Sequence, residues 1–386
     1  MVLSSVFLII FALSTFTQNM EVRAMDSDIS DKEDVIDSEI SDDEKIVDPL
    51  KTENPKSDAE TEKKEEQVKE ILTEKESSLI YVSQSINDFE HDIMKKVSMA
   101  SRDDVVVIDK DNFYNYRKFI YLSPDRELIA VTVSSEEITE TYIADLDGNI
   151  ITSAYPGSFR SWSPDSKKVL LYLSGFEENA RGRQIYYLNV DGKYYDSELP
   201  QEIISIDISP DDQLIVYTLT KTGTDESTIY IRNKSGKDTI LLEGNKNIFA
   251  WARFSPKGEK IAFLKSNLAI SEDESEVWVM NSDRSGVEKI SEVNWNYPPV
   301  WSGDGTKILF TIGSNVWEYD VNQKVLNSLT HFDEGFVEQP SYSRDGKEIV
   351  FSREDNRDRQ IWSVNKEGKV EQVTFDGTLK SYPLIP

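Results

Sequence analysis

The side-chain chemistry open to this chain is narrow. There is no cysteine, which removes disulfides, thiolate metal sites, a thiol nucleophile and a lipidated N-terminal cysteine. The two histidines, His91 and His331, stand far apart without the carboxylate spacing of a zinc motif. No Gly-x-Ser-x-Gly nucleophile turn occurs. Asp125, Asp165 and Asp211, each in a Ser-Pro-Asp triplet, have the charge to ligate a metal. The equivalent place in a fourth copy is Lys257, so the expected role of these aspartates is to build turns. No catalytic residue, metal site or cofactor is assigned. Two-carboxylate hydrolysis stays open as an alternative, because 71 acidic residues offer many pairs.

Recognition chemistry is better represented. Arginine and aromatic residues are favoured binding anchors. They recur just ahead of, or at the start of, short apolar runs: Tyr116, Arg117, Phe159, Arg160, Trp251, Arg253, Trp295, Tyr297, Lys380 and Tyr382. Whether these side chains meet depends on the elements that carry them.

Those elements repeat. An aromatic or apolar residue, a serine, a turn and an apolar run recur at Ser123, Ser163, Ser209, Ser255, Ser302 and Ser343. The runs, such as ELIAVTV from Glu127 and EKIAFLK from Glu259, are β-branched and aromatic, as strands require. A second apolar-aromatic pair follows in five copies: Ile185-Tyr186, Ile229-Tyr230, Val277-Trp278, Val316-Trp317 and Ile361-Trp362. Hairpin signals such as Asp145 to Gly148 and Asn189 to Gly192 come next, since Gly and Asn accept the positive φ of tight turns. Four short strands per repeat at this spacing indicate an all-β fold, a β-propeller of four-stranded antiparallel blades.

Six serine motifs mark six innermost strands. A seventh is expected at Ser381–Pro386, whose Pro383 lies one repeat beyond Pro340. Its partner strands then lie at the other end of the propeller, with Leu79–Gln84 second and residues 89–98 and 103–108 third and fourth. Seven blades with a shared N- and C-terminal blade result. The apolar spacing of Ile86, Phe89, Ile93 and Val97 also suits a helix, and in that case six blades remain. In either count, the loops entering the innermost strands open onto the propeller axis. The recognition residues would gather there.

The repeated Ser-Pro-Asp-Gly-Lys-x-apolar texture over residues 79–386 resembles the propeller repeats of the TolB family. The resemblance implies a propeller with a closing C-terminal strand and is specific for fold more than for function; a protein-binding role is expected from the propeller architecture and the missing catalytic motifs. Family members of that kind carry an α/β domain ahead of six blades, whereas this chain has an acidic stretch in that place. The same repeat occurs in propeller peptidases and lyases, so a hydrolase or lyase acting on a peptide, ester or glycan is the alternative function.

Ahead of the repeats lie two zones. Residues 1–24 read as an export signal, with an apolar run over 2–16 and Val22-Arg23-Ala24 as a cleavage site. The alternative is an uncleaved N-terminal anchor, which would be the sole membrane contact. Residues 25–78 have no aromatic residue and little apolar content, the composition of a disordered acidic linker. The formal net charge of −28 argues against a nucleic-acid partner, which demands a basic footprint. A periplasmic, cell-surface or secreted monomer that binds a protein or peptide is the expected reading.

Overall fold

The computed structural model describes residues 78–386, apart from 85–91, 100–104, 109–116, 136–137, 174–183, 201–202, 221–225, 246, 267–274, 294–296 and 357. The signal and most of the acidic linker fall outside the described residues. The strands, numbered β1 to β28 in chain order, form seven four-stranded antiparallel sheets. Six sheets are sequential meanders. Blades 1 to 6 begin at their innermost strands, Arg117–Leu122, Ser158–Trp162, Ile203–Ile208, Ile248–Phe254, Val300–Trp301 and Phe336–Tyr342.

Blade 7 is composite, in the order β28 (Leu379–Leu384), β1 (Ser78–Gln84), β2 (Asp92–Ser98) and β3 (Val105–Val107). The segment whose spacing also suited a helix contributes a strand, β2. Its buried positions include Asp92, Met94 and Val97, and every residue from Asp92 to Ser98 pairs with β1. Tertiary pairing overrides the helical spacing, and the blade count is seven.

The serine motif sets the chain reversal after each innermost strand. In all six copies five residues separate the first and second strands, and the third residue after the serine has positive φ: Arg126 (62°), Ser166 (58°), Asp212 (55°), Gly258 (73°), Gly305 (71°) and Gly346 (65°). Three copies meet that requirement with glycine and three with a costlier residue. In the five copies with an aspartate the serine hydroxyl donates to it, and in all six the hydroxyl accepts from the amide five residues on. In the second copy these contacts are Ser163 to Asp165, 2.6 Å, and Lys168 N to Ser163 Oγ, 3.1 Å. The carboxylate also accepts the amide two residues on. The motif aspartates are therefore occupied within their own turns, as Asx chemistry predicts.

Neighbouring blades pack through the residue before the serine. Trp162, Phe254 and Tyr342 are buried there. The Trp162 indole donates to the Tyr121 carbonyl of blade 1 (3.1 Å), and Trp301 does the same to the Arg253 carbonyl of blade 4 (3.2 Å). Apolar clusters fill the spaces between blades, for instance Leu79, Tyr81, Val350 and Ile361 between blades 7 and 6.

Closure joins the chain ends. Ile80 pairs with Leu384, Val82 with Ser381, Ser83 with Lys380 and Gln84 with Leu379, around a bulge. Arg126 reinforces it from blade 1, donating to the carbonyls of Ile385 (2.6 Å) and Tyr342 (3.1 Å).

Two predictions follow from this architecture. Removing residues 381–386 takes away most of an innermost strand, including buried Ile385, and should lower the melting temperature by about 10 °C or more. Arg126→Gly relieves a left-handed residue at a gain of about 0.5–1 kcal/mol, but removes two charged hydrogen bonds worth about 1.5–3 kcal/mol each. It should destabilise the protein, and a stabilised variant would show that Arg126 does not clamp the closure.

A third prediction concerns acid. The Ser302 hydroxyl, with the Thr306 amide and hydroxyl, holds the Asp304 carboxyl at about 2, against an ordinary 3.8. Ser163 and Ser209 act in the same direction on Asp165 and Asp211. A depressed carboxylate stabilises the fold above its ordinary pKa, and that stability disappears as pH falls through the folded value. Stability should therefore fall between about pH 4 and pH 2. Asp304→Asn should flatten that slope in chemical-denaturation curves, whereas an identical slope would contradict the assignment.

Candidate functional site

The antiparallel meander places two classes of connection on opposite faces. The serine turns and the hairpins between third and fourth strands share one face. The links between second and third strands, and those from each outer strand into the next blade, share the other, the mouth face. On the turn face the first connection is always five residues. On the mouth face the second-to-third link ranges from two residues, Gly313 and Ser314, to ten, 174–183. Framework geometry is held constant on one face while variation is concentrated on the other, where binding loops are expected. The mouth-face links also expose Ile138 (43%) and Phe375 (69%).

Between the faces runs the axis, bordered by the innermost strands. Tyr121 of blade 1 lies in the electrostatic fields of both Arg160 of blade 2 and Arg253 of blade 4. Blades 1 and 4 are not neighbours, so these groups face one another across the axis. Burial pushes the Tyr121 hydroxyl up, and the two arginines partly offset it. Tyr382 of blade 7 is raised well above its ordinary value by burial, with Tyr121, Tyr297, Glu338 and Asp92 adding to it. Tyr297 leads into blade 5 and hydrogen-bonds Glu338 of blade 6.

Asp207 of blade 3 completes the ring. It accepts from the Ser161 hydroxyl of blade 2 (3.1 Å), the Phe254 amide of blade 4 (2.8 Å) and Arg253 (3.4 Å). Burial nonetheless raises its pKa. The axis is thus a ring of seven polar positions, one per blade: Tyr121, Arg160, Asp207, Arg253, Tyr297, Glu338 and Tyr382. All seven are partly exposed.

Backbone strain accompanies the ring. Trp251, Gln339 and Tyr382 hold φ values of 54°, 52° and 53°, at ladder irregularities in the innermost strands of blades 4, 6 and 7. Bulky residues seldom adopt this conformation. Part of it is held by the Gln339 side chain, whose Oε1 accepts the Tyr382 amide at 2.7 Å.

Of the residues singled out in the sequence, Arg160, Arg253, Tyr297 and Tyr382 come together on the axis. Tyr116 and Trp295 lie outside the described residues. Arg117 is exposed at the start of its strand. Trp251 packs into the apolar cluster between blades 4 and 5. Phe159 is buried and stacks on Tyr121 at 4.2 Å. Lys380 is fully buried, paired with Asp376 and donating to the Thr378 carbonyl at 2.9 Å, so it fastens the closing strand. Sequence reasoning missed Tyr121, Asp207 and Glu338. A usable signal was present: the position two before the motif serine is Tyr121, Ser161, Asp207, Arg253 and Ser341 in five copies, polar where an apolar core residue would be expected. Among the described residues, no group of three His, Asp or Glu side chains is arranged to hold a metal ion.

Comparison with known proteins agrees with the propeller fold. The model of a family described as TolB beta propeller domain matches residues 140–383. Among solved structures, TolB from Acinetobacter baumannii is 17% identical, covering 82% of this chain and 69% of that one, with a TM-score of 0.48. An oligogalacturonate lyase in complex with manganese is 10% identical over 77% of this chain and 88% of that one, with a TM-score of 0.57. A prolyl endopeptidase structure is 12% identical, with a TM-score of 0.55; the match covers 85% of this chain and 56% of the endopeptidase. A search of curated proteins finds no significant match.

Proposed function

The chain belongs to the TolB β-propeller domain family, and from that premise we propose that it is an extracytoplasmic binding module that takes a protein or peptide segment at the mouth face of its axis. The observation that carries this reading is the seven-position polar ring, in which two arginines and three tyrosines from separate blades converge. Arginine and tyrosine are favoured binding anchors, and tyrosine supplies contact area at low cost in conformational order. The exposed Ile138 and Phe375 on the same face add apolar contact area around the mouth.

The location rests on the apolar run over residues 2–16 and the cleavage-like Val22-Arg23-Ala24, together with the family membership. The protein acts by presenting this surface and not by turning over a substrate. A photo-crosslinking residue in place of Phe375 in the full chain, expressed in its native cells, should yield a discrete protein adduct. The same residue in place of Ser235, on the turn face, should not. Equal labelling from both positions, or turnover of oligogalacturonate or a peptide by the purified protein, would overturn the reading.

A further inference from the structure

Among the described residues, the arginines that are buried or half-buried and the two buried lysines are matched to acceptors with one exception. Lys118 donates to the Asp92 carbonyl at 2.7 Å, Arg126 to Ile385 at 2.6 Å and Arg253 to the Ile206 carbonyl at 2.7 Å. Arg359 donates to Glu354 at 2.6 Å, and Arg353 to the Glu334 carbonyl at 3.1 Å. Lys380 has Asp376.

Arg160 has no such partner. Its one hydrogen bond is a long contact, 3.4 Å, to the carbonyl of its own neighbour Phe159. Its Nε is enclosed and without an acceptor. The rest of the guanidinium lies over the Tyr172 ring, 4.7 Å from its centroid. Burial, which dominates its surroundings, disfavours its charge; the nearby Tyr121 and Tyr172 favour it, and Arg253 opposes it. The axial carboxylate of the adjoining blade, Asp207, is taken by Arg253, the Phe254 amide and Ser161. A buried charge is normally paired, and in a chain of net charge −28 acidic partners are not scarce.

We infer that Arg160 is the specificity-determining anchor for a single carboxylate presented by the bound segment, and that Asp207 is a positioning residue that keeps Arg253 from competing for it. The inference rests on the binding-module reading above. One uncompensated positive charge matches one negative charge. A carboxylate meets a guanidinium edge in plane, whereas a phosphate would bring excess charge towards Asp207 and Glu338.

Thermal melting of the full chain with graded acetate or inorganic phosphate tests the anchor without a known partner. Acetate should raise the wild-type melting temperature saturably. Arg160→Gln should abolish that response and melt no lower than the wild type without anion, because it removes an unpaired charge. An unresponsive wild type would overturn the inference, and Arg160→Gln melting lower would make Arg160 a structural cation. A larger response to phosphate than to acetate would overturn the carboxylate assignment.

Fluorescence anisotropy with two random heptapeptide pools, one containing acidic residues and one with those residues as amides, separates the two readings. The acidic pool should bind at least about tenfold more tightly, and Arg160→Gln should level the two. Equal binding of both pools to the wild type would sink the carboxylate anchor and leave the binding module standing. Binding of neither pool, with acetate still acting through Arg160, would keep the anion anchor and sink the peptide-binding reading.

Discussion

The ladder between β28 and β1 is the constraint on which the rest depends. Six blades form as local meanders, each strand pairing with the next in sequence. A ring of such blades still leaves two unpaired edges where its ends meet, and unpaired edges invite association with other chains. Here residues some 300 positions apart in sequence, Gln84 and Leu379 among them, remove both edges in one blade. The entropy of bringing distant segments together grows slowly with loop length, so the ladder and the Arg126 clamp can offset it. The axial arrangement of Tyr382 is inherited from this ladder, since its left-handed conformation occurs within the closing strand.

Closure also determines what the axis can present. Each innermost strand, or in blade 5 the segment leading into it, contributes one polar position, and the ring exists only because seven strands converge. Within it, neutralisation is uneven. Asp207 is shared by groups from blades 2 and 4 and fixes Arg253 in place. Arg160 sits nearby, enclosed but unpaired. Such an arrangement costs stability, and proteins tolerate that cost at binding sites, where a ligand supplies the missing partner. The strained φ values of Trp251 and Gln339 fall in the same strands.

Much of the fold was legible in the sequence because its turn chemistry is explicit. Serine, aspartate and glycine at fixed offsets encode a five-residue reversal that must include a positive φ, and repetition of that demand identifies the blades. Blade 7 was legible through the proline-bearing C-terminal segment taken together with the strand pattern of Leu79–Gln84. β2 was ambiguous because Ile86, Phe89, Ile93 and Val97 satisfy a helical period as well as a strand. The axial site was half legible. Arg160, Arg253, Tyr297 and Tyr382 were found by residue type and place ahead of a strand. The same rule selected Lys380 and Trp251, since type and position do not reveal whether a side chain turns to the axis or between blades. Tyr121 and Asp207 were hidden within the motif, where a structural role was the natural assumption.

Nuclear magnetic resonance of the arginine Nε–Hε groups in the full chain, recorded while acetate is added, shows which guanidinium takes the anion. The anchor role of Arg160 predicts that its resonance shifts and gains protection from solvent exchange as the anion binds, while that of Arg253, held by Ile206 and Asp207, stays in place. A stationary Arg160 resonance, or a shift confined to Arg253, would contradict it.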